Sequence, residues 1–258
     1  MKISYDVLGN IIIAKFPENT KKNDKIREAR KLLKEKVSVE TILEKKEKVK
    51  GRLRTIKTTF LAGKKNKEAI YLENGCRFKF NVETCYFSPR LSNERKEIYK
   101  QIKKGEKILV MFGGVAPYAI VIAKNSKPKV VYSVELGREC EKYAKQNLIL
   151  NKADNIKIIQ GDVKKVIPKL YNKKILFDRI VMPRPNLKES FLEQAFKVVK
   201  KNGIINYYGF SKEGDEVLGI INEEAKKARK KIKIIRIKKA GDIAPYKFRW
   251  RVDLRVNN

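Results

Sequence analysis

Residues 106–118 read EKILVMFGGVAPY, an apolar run that ends in two glycines and a proline. This is the pattern of a buried strand that turns abruptly into a helix, with glycine at the turn. Working outward, KVVYSV (129–134), IKIIQ (156–160), FDRIVM (177–182) and NGIINYYGF (202–210) are further short β-rich runs, separated by amphipathic stretches of helical spacing. Such alternation implies an α/β fold with a parallel sheet and helices on both faces. Two last strands, near 232–238 and 248–256, are joined only by the loop AGDIAPYK, a link suited to an antiparallel pair and too short for a helical crossover.

Upstream of residue 92 the texture differs. Segments 3–7 and 11–15 alternate across Gly9-Asn10 as a hairpin, and Asp24 precedes IREARKLLKEK, where Ile26, Ala29, Leu33 and Val37 repeat at helical spacing. Segments 69–73 and 76–80 flank Asn74-Gly75, a dipeptide that tolerates positive φ at both central positions of a type I′ turn. Residues 1–87 are therefore expected to form a small α/β unit and residues 88–258 the larger one.

Composition limits the chemistry. The 258 residues include 62 Lys+Arg, 29 Asp+Glu and no histidine, a formal charge of +33, and 42% are hydrophobic, enough for a substantial core. Without histidine there is no Ser-His-Asp triad, no Cys-His pair and no imidazole metal site. Acid–base work falls to Asp, Glu, Lys, Tyr or Cys, and no metal is expected. Cys76, Cys85 and Cys140 are odd in number and lack CxxC spacing, which fits a reduced, cytoplasmic interior. The start, MKISYDVLGNIIIAKF, is interrupted by Asp6, Gly9 and Asn10, and no apolar run approaches the roughly 18 residues of a membrane span. The excess positive charge points to nucleic acid as partner. Lysine bias from a heat-adapted or A/T-rich genome is the alternative, although it ordinarily brings Glu along with Lys. The charge is concentrated in two runs, 14 Lys/Arg against 6 acids in 21–54 and nine Lys/Arg in 226–239.

Ligands of a doubly wound sheet bind outside the carboxyl ends of its strands. At the first strand end stand Phe112, Gly113 and Gly114. Glu135 ends the second, 22 residues beyond Gly113, where an acid can accept from both ribose hydroxyls. Gly161-Asp162 follows the third, where Asp162 suits either an adenine amine or a helix N-cap. Three such positions at consecutive strand ends imply an adenosine. The absence of a P-loop favours a nucleoside cofactor such as S-adenosyl-L-methionine over ATP. Five parallel strands, a helix and a closing antiparallel pair is also the seven-stranded, Rossmann-like layout of class I methyltransferases.

GRLRT (51–55), ENGCRFKFNVETCYFSPRLSNER (73–95), VMFGGVAPY (110–118), SVELGRECEKYAKQN (133–147), GDV (161–163) and APYKFRWRVDLRV (244–256) together resemble the archaeal and eukaryotic tRNA (guanine-37 N1)-methyltransferases. The resemblance covers nearly the whole chain, and the YFSPRLxxER block is its most specific part. It implies a class I methyltransferase domain behind a small RNA-contacting domain, and methyl transfer from S-adenosyl-L-methionine to the guanosine 3′ of the anticodon. By the same resemblance Arg54 contacts the target base, Glu94 is the general base at guanine N1, and Arg95 organises base and substrate. Tyr86, Arg90, Phe112, Glu135, Leu136 and Asp162, with Gly113, Gly114 and Gly161 of the strand-end loops, line the cofactor pocket. The roles suit the chemistry: N1 must lose its proton as it attacks, and an arginine on O6 stabilises the charge left behind. Without the resemblance, Glu94 and Arg95 read equally as a first-turn pair on a surface helix, and Arg54 as one basic residue among many.

The chain departs from the family pattern at three places. Val110 stands where the first strand usually ends in Asp, and Ala116 replaces a glycine. After the fourth strand the usual Asn-Pro/Leu-Pro motif reads Met182-Pro183-Arg184-Pro185-Asn186, so Pro183 replaces an Asn donor. Pro183 and Pro185 resemble the branch that methylates guanosine N1 and also C7 of 4-demethylwyosine in wyosine biosynthesis. Neutral drift, with Asn186 compensating, is the other reading. The resemblance also implies that this sequence opens where the family's second domain does, so that its basic runs take over the grip on tRNA. A monomer is expected. Two other functions remain open at this stage: the wyosine-pathway transferase of an aminocarboxypropyl group, and a basic tRNA-binding protein with a decayed methyltransferase pocket. Tyr86, Tyr118, Tyr207, Tyr208 and Trp250 are the aromatics available to stack on an unstacked base.

Overall fold

The computed structural model describes residues 3–47 and 51–257. Near the amino terminus, β1 (Ser4–Leu8) and β2 (Ile11–Lys15) form the expected hairpin, followed by α1 (Lys22–Glu35), β3 (Thr41–Lys45) and β4 (Thr58–Gly63). The sheet order is β1-β2-β3-β4, with β2 and β3 parallel across the α1 crossover. Ala29 of α1 packs with Ile12, Ile42 and Leu61 in a core of its own. The helix ends before Val37, which is 98% exposed, so the helical spacing continues one step further than the helix does.

Next come β5 (Glu68–Glu73) and β6 (Cys76–Asn81), joined by Asn74 at φ 47° and Gly75 at φ 72°, the turn expected from sequence. This hairpin touches both units. Asn10 Oδ1 accepts from the Ile70 N–H at 2.8 Å, and Gly9 approaches so closely that a Cβ there would sit 1.8 Å from the Ile70 carbonyl.

The larger unit begins with a 3₁₀ turn (Pro89–Leu91) and α2 (Ser92–Tyr99). It continues as β7 (Lys107–Met111), α3 (Pro117–Asn125), β8 (Val130–Glu135), α4 (Arg138–Leu150), β9 (Ile156–Gln160), α5 (Val163–Asn172), β10 (Phe177–Met182), α6 (Leu192–Val198) and β11 (Val199–Ser211). The last elements are α7 (Gly214–Lys227), β12 (Ile232–Ala244) and β13 (Lys247–Val256). The seven-stranded sheet has the order β12-β13-β11-β10-β7-β8-β9; its first five strands in chain order run parallel, and β13 and β12 close it antiparallel. The order reverses between β7 and β10, which places the switch point beside the glycine loop after β7.

The β5–β6 hairpin docks on α4 through two asparagines one turn apart. Asn151 accepts from Arg77 N–H at 2.8 Å and donates to its carbonyl at 2.6 Å; Asn147 does the same for Lys79 at 2.8 and 3.1 Å. The match is geometric: four helical residues rise about 6 Å and two strand residues about 6.8 Å. Ala69, Phe78 and Phe80 consequently share a core with Ile108, Val110 and Ala119, so residues upstream of 87 complete the packing of the larger unit. Among the described residues no helix is long and apolar enough to cross a membrane.

Candidate active site

The loops after β7, β8, β9 and β10 open onto one cavity of about 1090 Å³ that runs into solvent. The backbone after β7 takes positive φ at Phe112 (61°), Gly114 (55°) and Ala116 (66°), turning the chain into α3 with Pro117 in its first turn. A Cβ on Gly113 would lie 2.1 Å from Ser133 Oγ on the neighbouring strand, so any larger residue must turn that hydroxyl aside. The turn aims the Gly114 N–H at Glu135 Oε2, and the Gly137 N–H meets Oε1, both at 2.7 Å. Burial pushes the Glu135 carboxyl above its ordinary value, and these amides work against that shift. Held at both oxygens and lining the cavity, Glu135 keeps lone pairs for two further donors, as the paired hydroxyls of a ribose require.

Asp162 realises its N-cap reading: Oδ1 accepts from Lys164 N–H at 2.9 Å and Oδ2 from Arg52 Nη2 at 2.8 Å. Burial raises its carboxyl, but the capping amide and Arg52 outweigh that and leave it below the usual carboxylate range. Gly161, at φ 147°, and Leu136 complete this end of the wall. Arg54 lies 3.5 Å over the Tyr86 ring, and both line the cavity. Arg90 does not join them. The 3₁₀ turn points Leu91 into the wall and Arg90 outward, where it is exposed and pairs with Asp6 at 3.0 Å.

Glu94 and Arg95 of the YFSPRLxxER block are both buried and do not form a surface pair. Arg95 is 2% exposed, paired with Glu73 (Nη2 to Oε2 2.6 Å) and donating to the Ser88 carbonyl at 2.9 Å, and it lines the cavity. Glu94 is equally enclosed but sits behind the wall. Its Oε1 is 2.7 Å from Lys238 Nζ, and its Oε2 is 2.8 Å from Arg251 Nη1 and 3.1 Å from the Tyr208 hydroxyl. Tyr208 and Tyr118 do line the cavity, and Tyr118 donates to Tyr208 at 3.1 Å. Burial pushes the Tyr118 phenol up to about 12 and that of Tyr208 well above its ordinary value, so both stay protonated and donate. Glu94 thus reaches the cavity through the Tyr208 hydroxyl, to which Tyr118 adds a second.

After β10, Pro183 and Pro185 face the cavity, while Asn186 is exposed and outside its lining, so it does not stand in for the missing amide. Arg184 between them is 6% exposed and donates to the carbonyls of Pro185, Leu187 and Glu189 at 3.3, 2.9 and 2.9 Å, bracing the loop. Val110 is wholly buried in β7, inside the core. Of the five aromatics, Tyr86, Tyr118 and Tyr208 line the cavity; Tyr207 and Trp250 do not. Sequence reasoning passed over Arg184, Arg249 and Arg251. The signal for the last two lay in RWRVD, whose charges at 249, 251 and 253 keep the period of two on one face of a closing strand.

Residues 69–235 match the family described as the TRM5/TYW2 methyltransferase domain. The chain belongs to this family. It is 34% identical to the tRNA (guanine(37)-N(1))-methyltransferase Trm5b of Pyrococcus abyssi, over 98% of this chain and 75% of that one. The crystal structure of that TRM5 protein superposes with a TM-score of 0.87 at 33% identity, covering 99% and 75% of the two chains. Identity is also 34% to the tRNA (guanine(37)-N(1))/4-demethylwyosine(37)-methyltransferase Taw22 of Nanoarchaeum equitans, over 98% of this chain and 99% of that one. A solved structure described as the complex of aTrm5 and tRNALeu superposes with a TM-score of 0.86 at 26% identity, over 98% of this chain and 72% of the other. The matched residues run from β5 into β12 and include the strand-end loops that line the cavity.

Proposed function

We propose that this protein transfers methyl from S-adenosyl-L-methionine to N1 of guanosine 37 in tRNA, and to C7 of 4-demethylwyosine at the same position. Two relatives at 34% identity bear these activities in their names. The observation that carries the second activity is the wall after β10. Pro183 and Pro185 present carbon to the cavity and no amide donor replaces the lost Asn, which suits a larger and less polar ring.

The cofactor supplies a methyl group on a sulfonium that leaves as a neutral thioether. Glu135 takes the ribose hydroxyls, Gly113 and Gly114 give the backbone close approach, and Leu136, Gly161 and Asp162 bound the adenine. Arg54, supported by Tyr86, meets O6 as negative charge develops there. Tyr118 and Tyr208 lead the N1 proton towards Glu94, which is its acceptor. Arg95, fixed by Glu73, shapes the wall between them. Residues 1–87 form the RNA-contacting domain, and the basic runs grip phosphates without reading sequence. The protein works as a cytoplasmic monomer on the anticodon loop.

The test is incubation with labelled cofactor and two tRNAs, one carrying guanosine 37 and one carrying 4-demethylwyosine, followed by nucleoside mass spectrometry. Methyl gain on both is the expected result. Gain on guanosine alone would refute the dual reading, and an aminocarboxypropyl mass gain would assign the other transferase. Calorimetry showing no cofactor binding would refute the enzyme reading altogether.

A further inference from the structure

Five arginines line the cavity: Arg52, Arg54, Arg95, Arg184 and Arg249. Three have acidic or carbonyl acceptors, and the half-buried Arg54 lies close over a phenol ring. Arg52 pairs with Asp162, Arg95 with Glu73, Arg184 with three carbonyls, and Arg54 stacks on Tyr86. Arg249 is 8% exposed and has no acidic or carbonyl partner among the described residues; its guanidinium rests only against the Phe210 ring, at 5.4 Å. What exposure it keeps is toward the cavity that it lines, where an anion would find its donors free.

Its surroundings supply more positive charge and no acid. Burial holds the Arg54 guanidinium below its ordinary value, and the Arg249 charge adds to that. The acids lining the cavity are Glu135 and Asp162, at the ends of β8 and β9, and both are engaged by amides or Arg52. Arg249 sits on β13 opposite Phe210 of β11. In the strand order it lies four steps from β8, about 19 Å at 4.8 Å per strand. The ribose end of the cofactor therefore belongs to one side of the cavity and Arg249 to the other.

We propose that Arg249 is an oxyanion site for the substrate nucleotide, taking a backbone phosphate of the RNA whose base enters the cavity. Phe210 flanks the guanidinium at 5.4 Å without taking up its donors, which leaves its fork for two parallel hydrogen bonds to phosphate oxygens. The site rests on the tRNA reading of the function and deepens it. It explains why a chain with a basic surface also buries one cation with no partner of its own.

The experiment compares Arg249→Gln and Arg249→Lys with the unaltered chain, once that chain is shown to methylate tRNA; failure at this first step concerns the proposed function and not Arg249. Steady-state kinetics are run against tRNA over a salt series, and calorimetry measures S-adenosylmethionine and methylthioadenosine, which lacks the carboxylate. For Arg249→Gln, KM for tRNA should rise about tenfold or more, and the slope of log KM against log salt should fall by about 0.7, with cofactor affinity unchanged. Arg249→Lys should recover part of the loss. Three outcomes would overturn the proposal. Loss of S-adenosylmethionine affinity with methylthioadenosine affinity kept would assign the cofactor carboxylate. A fall in kcat alone would assign charge developing on the base. Unchanged kinetics would leave Arg249 without a role in binding.

Discussion

Arg251 Nη1 lies 2.8 Å from Glu94 Oε2, a pair 157 residues apart in sequence that locks α2 to the closing strand β13 with Arg251 fully enclosed. The same guanidinium lies 3.0 Å from Glu97 Oε2 and 3.2 Å from Asp253 Oδ1. Burial alone would work against its charge, but Asp253, Tyr208, Glu94 and Glu97 together push it above its ordinary value. Three carboxylates thus converge on one cation at the back of the cavity.

Removing that cation leaves Glu94 and Asp253 buried, with Lys238 still pairing Glu94 and Glu97. Arg251→Leu should cost about 3–5 kcal/mol, by the usual cost of breaking a buried pair from one side. That corresponds to a fall in Tm of roughly 10 °C for a chain of this size. Thermal denaturation measures it, and a shift under about 2 °C would contradict the account.

On the proposed proton path Glu94 and Tyr208, joined by a 3.1 Å hydrogen bond, act together. Glu94→Gln should slow guanosine methylation by about 10²-fold or more, with cofactor affinity nearly unchanged. Tyr208→Phe, which removes only the bridging oxygen, should slow it at least about tenfold and alter the solvent isotope effect. Single-turnover rates in H₂O and D₂O test both. An unchanged rate for Glu94→Gln would rule it out as the proton acceptor.

Glu135 gives the cofactor site a pH dependence. Its folded-state value is raised by burial, so the folded chain holds this proton more tightly than the unfolded chain does. Its contribution to stability is therefore full below the ordinary glutamate range and is lost as pH rises through the folded value. Ribose binding has the opposite sign, because only the ionised carboxylate accepts two hydroxyls. Cofactor affinity should fall on acidification at a pH above the ordinary glutamate range, and Glu135→Gln should bind weakly with that pH dependence abolished. Calorimetric titrations between pH 4 and 8 provide the comparison, the range being set by about where carboxylates titrate.

Asn147 carries the hairpin's docking. It is wholly buried and makes three bonds, to the Lys79 N–H, the Lys79 carbonyl and the Val115 carbonyl. Asn147→Ala leaves those backbone groups unpaired and should cost about 3 kcal/mol. Hydrogen exchange should show protection lost first at β6. Uniform loss across the sheet would argue against a local dock.

The parallel sheet was legible in the sequence because its strands are short, apolar and separated by amphipathic helices, a pattern that survives without tertiary information. The Asn74-Gly75 hairpin was legible for a local reason too: its positive φ values need those residue types. Glu135, Gly113 and Gly114 were readable from their places at strand ends. Arg90 was misplaced, since a 3₁₀ turn exchanges inward and outward positions between adjacent residues, and Val37 was misplaced since periodicity does not mark where a helix stops. Glu94 matched a motif, but no motif shows that Tyr208 stands between it and the cavity.

By itself the sequence determined the class of fold, the strand-end loops that line the cavity and the lack of any histidine for its chemistry, all consequences of local periodicity, glycine placement and composition. Tertiary structure alone decided which charges meet. Arg251 faces Glu94, Arg52 faces Asp162, and Arg249 meets no acid or carbonyl among the described residues, only Phe210 and the cavity wall. Pairings between residues more than a hundred positions apart depend on strand order and register, which bring β13 beside β11 and α2 behind it. A period of two in RWRVD says which side chains share a face, but only the packed sheet says what that face meets.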